Sequence, residues 1–301
     1  MTAAYRPSGL LVPVVTPFDA RGAVDPEALE RLAGELLDAG ATGIVALSTT
    51  AEPSALDGAE RDATVATLAA VCADRGADLV VGAGTNDTRT TIERHAALAD
   101  VPGVRASLAV VPYYVRPTEA AIVAHFQVVA EQSPVPLIIY NIPYRTGRGL
   151  GAAALLELAA TDGIAGLKQA VGALDGDTLA VLAGAPGGFA LLGGDDAFLF
   201  PTVLMGGAGA IAAGAHVATE RFVAMLADGA AGRVDAGRAH AEALLPLVEA
   251  IFAEPNPAVV KALLHAAGRI PTPDVRMPLA AASPEALDRA RVALASATPQ
   301  G

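Results

Sequence analysis

Short apolar runs alternate with longer segments of helical period along most of this chain. The runs at 10–16, 43–47, 79–82, 106–110, 137–140, 164–168, 189–193 and 208–212 predict strands. Between them, 26–39, 58–73, 88–99, 118–132, 152–160, 173–183 and 197–205 predict helices. Asp25 before Pro26, and Pro117-Thr118-Glu119, are cap and first-turn signals for two of these. Strands that alternate with helices imply parallel pairing and right-handed crossovers. Eight of them predict a closed (β/α)8 barrel, a TIM barrel, with an open doubly wound sheet as the alternative. The barrel is expected to occupy 1–225. Helices at 234–252, 257–267 and 284–295 then form a C-terminal extension, 226–301, of the same domain.

Composition narrows the picture. At 53% hydrophobic and 17% charged, the 301-residue chain can build a large core. The net charge of −12 argues against nucleic acid, whose phosphates need clustered cations. The single cysteine, Cys72, excludes an internal disulfide framework and a multi-cysteine metal site, and predicts a reducing, cytoplasmic setting. The first residues show no basic stretch followed by an apolar core, so no secretory signal is expected. The stretch 197–219 has no formally charged residue but is broken by Pro201, Gly206, Gly207, Gly209 and Gly214. It predicts buried core and no membrane span.

Most motif candidates fail. His95, His125, His216, His240 and His265 lack metal-ligand spacing and are expected to be surface or satisfied structural histidines. Gly207-Ala-Gly209-Ala-Ile-Ala212 precedes a strand, whereas a dinucleotide fingerprint must follow one. The residues that remain are rare ones. Only Lys168 and Lys261 among the 20 basic residues are lysines. Lys261 lies in a run of helical period and is expected to be an exposed helix residue. Lys168 ends a strand, where a barrel places its chemistry. Low-dielectric surroundings there lower an amine's pKa and free it to attack a carbonyl; a structural ion pair is the alternative. Four of the five tyrosines, Tyr113, Tyr114, Tyr140 and Tyr144, fall at the ends of the fourth and fifth strands. Tyr140 is suited to relaying protons beside such a lysine. Thr49 and Thr50 follow the second strand, where hydroxyls and turn amides can bind a carboxylate. Arg145 follows the fifth and is a candidate carboxylate clamp.

Taken in order, these pieces resemble the dihydrodipicolinate synthase / N-acetylneuraminate lyase family of pyruvate-dependent class I aldolases. The resemblance runs from about Gly9 to the end. It rests on Val15-Thr-Pro-Phe18, Ser48-Thr-Thr-Ala-Glu52, Pro112-Tyr-Tyr114 with Arg116-Pro117, and Tyr140-Asn-Ile-Pro143 with Arg145-Thr-Gly147. Gly166-Leu-Lys168, Gly194-Asp-Asp196 and Glu254-Pro-Asn-Pro257 complete it. The resemblance implies a (β/α)8 barrel with a helical extension and no cofactor, the covalent imine forming on Lys168 with pyruvate. It implies that Tyr140 relays protons, with Thr49 and Tyr114 completing the relay. Tyr114 would reach a neighbouring subunit, so a homo-oligomer is expected, as a dimer or a dimer of dimers (homotetramer). Thr50 would bind the pyruvate carboxylate, and Arg145 that of the second substrate, an aldehyde. Gly194 and Ile211 would wall the pocket.

Two departures bear on this. Ser48 and Ala51 stand where the family has glycines, which puts the turn's backbone freedom in question. Tyr144 stands where the family carries a small residue, either reshaping the pocket or lying on its rim. Because sialic-acid lyases of the family usually carry an apolar residue where Arg145 stands, the resemblance implies condensation of pyruvate with aspartate semialdehyde to give the cyclic precursor of lysine. A pyruvate aldolase or dehydratase acting on a sugar acid is the alternative, and a non-catalytic binding barrel a third.

Overall fold

The computed structural model describes residues 5–297. Eight strands close into an all-parallel barrel in chain order. They are β1 (Gly9–Pro13), β2 (Gly43–Ala46), β3 (Asp78–Gly82), β4 (Val104–Val110), β5 (Leu137–Asn141), β6 (Ile164–Gln169), β7 (Ala190–Gly193) and β8 (Gly209–Ile211). This is the closed alternative, and the open sheet is excluded. The helices in the connections are α1 (Pro26–Asp38), α2 (Gly58–Arg75), α3 (Thr88–Ala96), α4 (Glu119–Gln132), α5 (Pro143–Thr146), α6 (Ala152–Ala159), α7 (Gly176–Gly184), α8 (Leu199–Leu204) and α9 (Ala215–Ala230). The extension adds α10 (Val234–Ile251), α11 (Ala258–Ala266) and α12 (Pro284–Ala297).

Local chemistry sets the helix starts. The Asp25 side chain accepts from the Ala28 N–H with Pro26 in the first turn. Asp57 and Glu60 form a reciprocal capping box on α2. Thr118 caps α4, as its sequence context predicts. Strand β1 stops earlier than its apolar run because the Val15 N–H donates to His216 Nε2 and so leaves the sheet ladder. His216 Nδ1 in turn donates to the Ala213 carbonyl, so this buried imidazole is neutral with both nitrogens used. Burial holds its pKa down at about 4.

Along most strands the side chains alternate between the two faces. Val45, Val80, Leu108, Ile138, Leu192 and Ile211 fill the barrel interior. Leu137, Ile139 and Leu167 point outward against α4 and α6. Closure depends on Gly209, where a Cβ would collide with the Gly9 carbonyl across the β1–β8 seam. Cys72 is buried on α2, and burial pushes its thiol up to about 11. The uncharged stretch 197–219 spans α8, β8 and the start of α9, largely buried as expected. Among the described residues no helix is long and apolar enough to cross a membrane.

Lys261 corrects the sequence reading. It is fully buried on α11, all of whose residues from Ala258 to Leu264 are buried. Its Nζ donates to Glu52 Oε1 at 2.9 Å and stands 4.0 Å from the Phe18 ring centroid. A lysine on a helical period is normally solvated. Here a carboxylate 209 residues away in sequence supplies the charge partner.

Candidate active site

Parallel pairing of β5 with β6 puts Tyr140 opposite Lys168. Since both follow outward-facing neighbours, both point inward at the carboxyl end of the barrel. Lys168 Nζ lies 4.2 Å from the Tyr140 ring centroid, and both residues are buried. Gly194, just past β7, makes room for the lysine: a Cβ there would stand 3.0 Å from Lys168 Cε and from the Gln169 carbonyl.

Thr49 and Thr50 sit in a tight turn, Thr49–Ala51, after β2. The backbone question is resolved by the dihedrals. Ser48 has φ −76°, and Ala51 is not among the positive-φ residues. The left-handed conformations fall instead on Leu47 (φ 52°) and Glu52 (φ 55°), so no glycine is needed at 48 or 51. Thr16 Oγ1 donates to the Ala51 carbonyl at 2.8 Å and fastens the turn to the segment after β1.

A cavity of 510 Å³ opens at this end of the barrel. Lys168, Tyr140, Thr49, Thr50, Gly194 and Ile211 line it, and Arg145 joins them at its mouth. Seven of the eight residues singled out from sequence therefore share one space. Tyr114 does not: it is 87% exposed, with φ 70°, outside the cavity of its own chain. Arg145 lies on α5, where its Nε donates to the Tyr144 hydroxyl at 2.9 Å and its guanidinium stacks 5.0 Å from that ring. Tyr144 is 69% exposed and thus lies on the rim, while still lining the cavity.

The electrostatics follow from burial. Burial pulls the Lys168 amine down to about 8, against the opposing pull of Asp196 and Asp195; Arg145 adds to the lowering. At pH 7 about one such amine in ten is neutral, against roughly one in three thousand for an ordinary lysine. Burial raises the Tyr140 phenol, and Tyr144 adds to this; Arg145 and a hydrogen bond with Thr49 partly offset it. The phenol thus holds its proton near neutrality. Lys261 is also lowered by burial, but its amine is committed to Glu52 and it does not line the cavity.

Asp195 and Asp196 carry more of the site than their place in the sequence motif suggested. Asp196 is buried, its Oδ2 accepts from the Gly214 N–H at 2.6 Å, and burial lifts its carboxyl to about 7. Asp195 accepts from the Gly172 N–H, and burial raises its carboxyl too. The legible signal was a Gly-Gly-Asp-Asp run at a strand's carboxyl end. The extension also reaches the site, through Glu249 and Phe252 near the end of α10 and Asn256 just before α11. Sequence offered no spacing that would bring these to Lys168. Among the described residues, no three His, Cys, Asp or Glu side chains are grouped to hold a metal ion.

A buried lysine and tyrosine thus meet at the strand ends of a closed barrel, where such barrels place their chemistry, with hydroxyls and an arginine around them. Comparison with known proteins gives the family. The Dihydrodipicolinate synthetase family model matches residues 6–297. The 4-hydroxy-tetrahydrodipicolinate synthase of Moorella thermoacetica is 39% identical over 285 residues, 95% of this chain and 96% of that protein. The crystal structure of dihydrodipicolinate synthase from Thermotoga maritima superposes with a TM-score of 0.93 at 29% identity, covering 97% of this chain and 99% of that one. The chloride-inhibited dihydrodipicolinate synthase of Acinetobacter baumannii, solved in complex with pyruvate, gives 0.92 at 32% identity, covering 96% and 98%. The chain belongs to the dihydrodipicolinate synthetase family, and it is a lyase of the class I aldolase type.

Proposed function

We propose that this enzyme condenses pyruvate with aspartate semialdehyde, as a 4-hydroxy-tetrahydrodipicolinate synthase does. The observation that carries the reading is the buried Lys168 amine, lowered to about 8 and set against Tyr140. The neutral amine attacks the keto carbon of pyruvate, and loss of water from the carbinolamine leaves an imine on Lys168. Tyr140, in contact with Thr49, moves the protons of these steps. Loss of a proton from the pyruvate methyl group gives an enamine whose carbon attacks the aldehyde. Attack by the amino group of the bound aldehyde partner on the imine carbon then closes the ring and frees Lys168. Thr50 holds the pyruvate carboxylate and Arg145 that of the aldehyde, while Gly194 and Ile211 shape the wall. Tyr114, exposed on its own chain, would complete the relay of a second copy, which makes the working unit a homo-oligomer. No cofactor enters this scheme, since the imine supplies the electron sink. The buried lone cysteine and the acidic surface suit a cytoplasmic enzyme.

The test is turnover with a panel of aldehydes in the presence of pyruvate. Aspartate semialdehyde is expected to be the best partner; a clear preference for a sugar-acid substrate would replace this reading with a keto-deoxy-acid aldolase. Arg145→Ala is expected to raise the apparent KM for the carboxylated aldehyde by roughly 10–100-fold, the worth of a charge-assisted hydrogen bond. The KM for pyruvate should move far less. Equal effects on both would show that Arg145 orders the site in general and does not select the acceptor.

A further inference from the structure

The turn that carries Thr49 and Thr50 is held from behind by the C-terminal extension. Asn256 Nδ2 donates to Thr50 Oγ1 at 2.9 Å, across 206 residues of sequence. Glu52, two residues on, accepts from Lys261 Nζ at 2.9 Å through one oxygen and from the Arg276 N–H at 2.7 Å through the other. Both side chains of the Glu52–Lys261 pair are buried. Arg276 is itself tied down, donating to Glu60 Oε2 at 2.6 Å and to the Ala55 carbonyl at 2.8 Å. The segment bearing Asn256 is fixed as well, since the Glu254 carboxylate accepts from the Ser283 N–H at 3.0 Å.

The direction of the Asn256 bond has a chemical consequence. A threonine hydroxyl has one proton and lone pairs to accept with, whereas an amide NH2 can only donate. Thr50 Oγ1 therefore accepts from Asn256, and its single proton is left to give away. Thr50 is buried and lines the cavity, and its Oγ1 makes no other hydrogen bond among the described residues. An ionised carboxylate, which only accepts, matches a hydroxyl set in this way.

We propose that Asn256 is a positioning residue for recognition of the keto-acid carboxylate: it commits the Thr50 proton to the substrate, and the buried Glu52–Lys261 pair keeps the turn in register with it. This rests on the reading of Thr50 as the carboxylate-binding residue of an imine-forming site. The role assigned to Asn256 is exerted through its bond to Thr50, although Asn256 also lines the cavity.

The test compares pyruvate with methyl pyruvate, which lacks the charged carboxylate, by borohydride trapping and steady-state kinetics on the full-length enzyme. Asn256→Ala is expected to raise the apparent KM for pyruvate by roughly 10–100-fold, with kcat at saturating pyruvate changed by less than about threefold. Half-saturation by methyl pyruvate should stay near the wild-type value. Asn256→Asp is expected to be worse for pyruvate than Asn256→Ala, because the introduced carboxylate takes the Thr50 proton and repels the keto acid. The paired replacement Glu52→Gln with Lys261→Met removes both buried charges together and should shift the pyruvate KM in the same direction. An unchanged pyruvate KM in the Asn256 variants, an equal rise for both ligands, or a milder effect of Asn256→Asp than of Asn256→Ala would each overturn the proposal. Failure of the wild-type enzyme to be trapped by pyruvate at all would instead overturn the underlying reading of the site.

Discussion

Replacing Lys168 with alanine is expected to abolish covalent capture of pyruvate, and replacing it with arginine is expected to do the same. The second result separates charge from nucleophilicity, because a guanidinium stays protonated at any pH the fold survives. Capture is read by borohydride reduction and mass spectrometry, with the adduct expected on the peptide that contains Lys168. Its pH dependence carries a sign. Only the neutral amine attacks, so the trapping rate should climb as pH rises toward about 8, where burial sets the Lys168 pKa, and then level off. Lys261 serves as an internal control: it is the only other lysine in the chain, and its amine is committed to the Glu52 carboxylate. An adduct on Lys261, or on the α-amino group, would remove the mechanism altogether.

The second large effect concerns Tyr140. Tyr140→Phe keeps the ring against which the Lys168 amine rests, at 4.2 Å from its centroid, and so should preserve the fold and the placement of the lysine. What it removes is the phenolic proton, which burial retains at neutral pH. Turnover is expected to fall by roughly 10²–10⁴-fold, the usual worth of a positioned general acid–base group. Thermal unfolding run in parallel would show a transition close to that of the wild type. Turnover near the wild-type level would demote the phenol to a packing group.

Why some of this was legible in the sequence and some not comes down to range. Alternation of apolar runs with helical segments is a local property, and it carried the barrel, its eight strands and most helices. Helix α9 escaped because its first turns belong to a glycine-broken uncharged stretch, and Ala218 interrupts it with a non-helical φ of −142°. Lys168, Tyr140, Thr49, Thr50 and Arg145 stood out because each lies at or just after a strand's carboxyl end, a place that sequence order alone defines. Asp196 needed the Gly214 N–H to be understood, Asn256 needed Thr50, and Lys261 needed Glu52. Each of those pairings joins different elements of the closed barrel or its extension, and no spacing along the chain encodes it. Tyr114 was visible as an unusual residue, but its proposed role requires a second copy of the chain.

The clasp between the extension and the Thr49–Ala51 turn bears on how lesions in the gene would behave. A stop codon shortly after Ala230 would spare all eight strands, Lys168 and Tyr140. It would also remove Asn256, Lys261 and Arg276, the partners of Thr50 and Glu52, along with Leu247, Ile251, Val259 and Leu264 of the shared core. Such an allele should therefore score as a null in a growth-complementation assay, even though Lys168 and Tyr140 are still encoded. Growth supported by that truncated product would mean that the turn can order itself without the clasp.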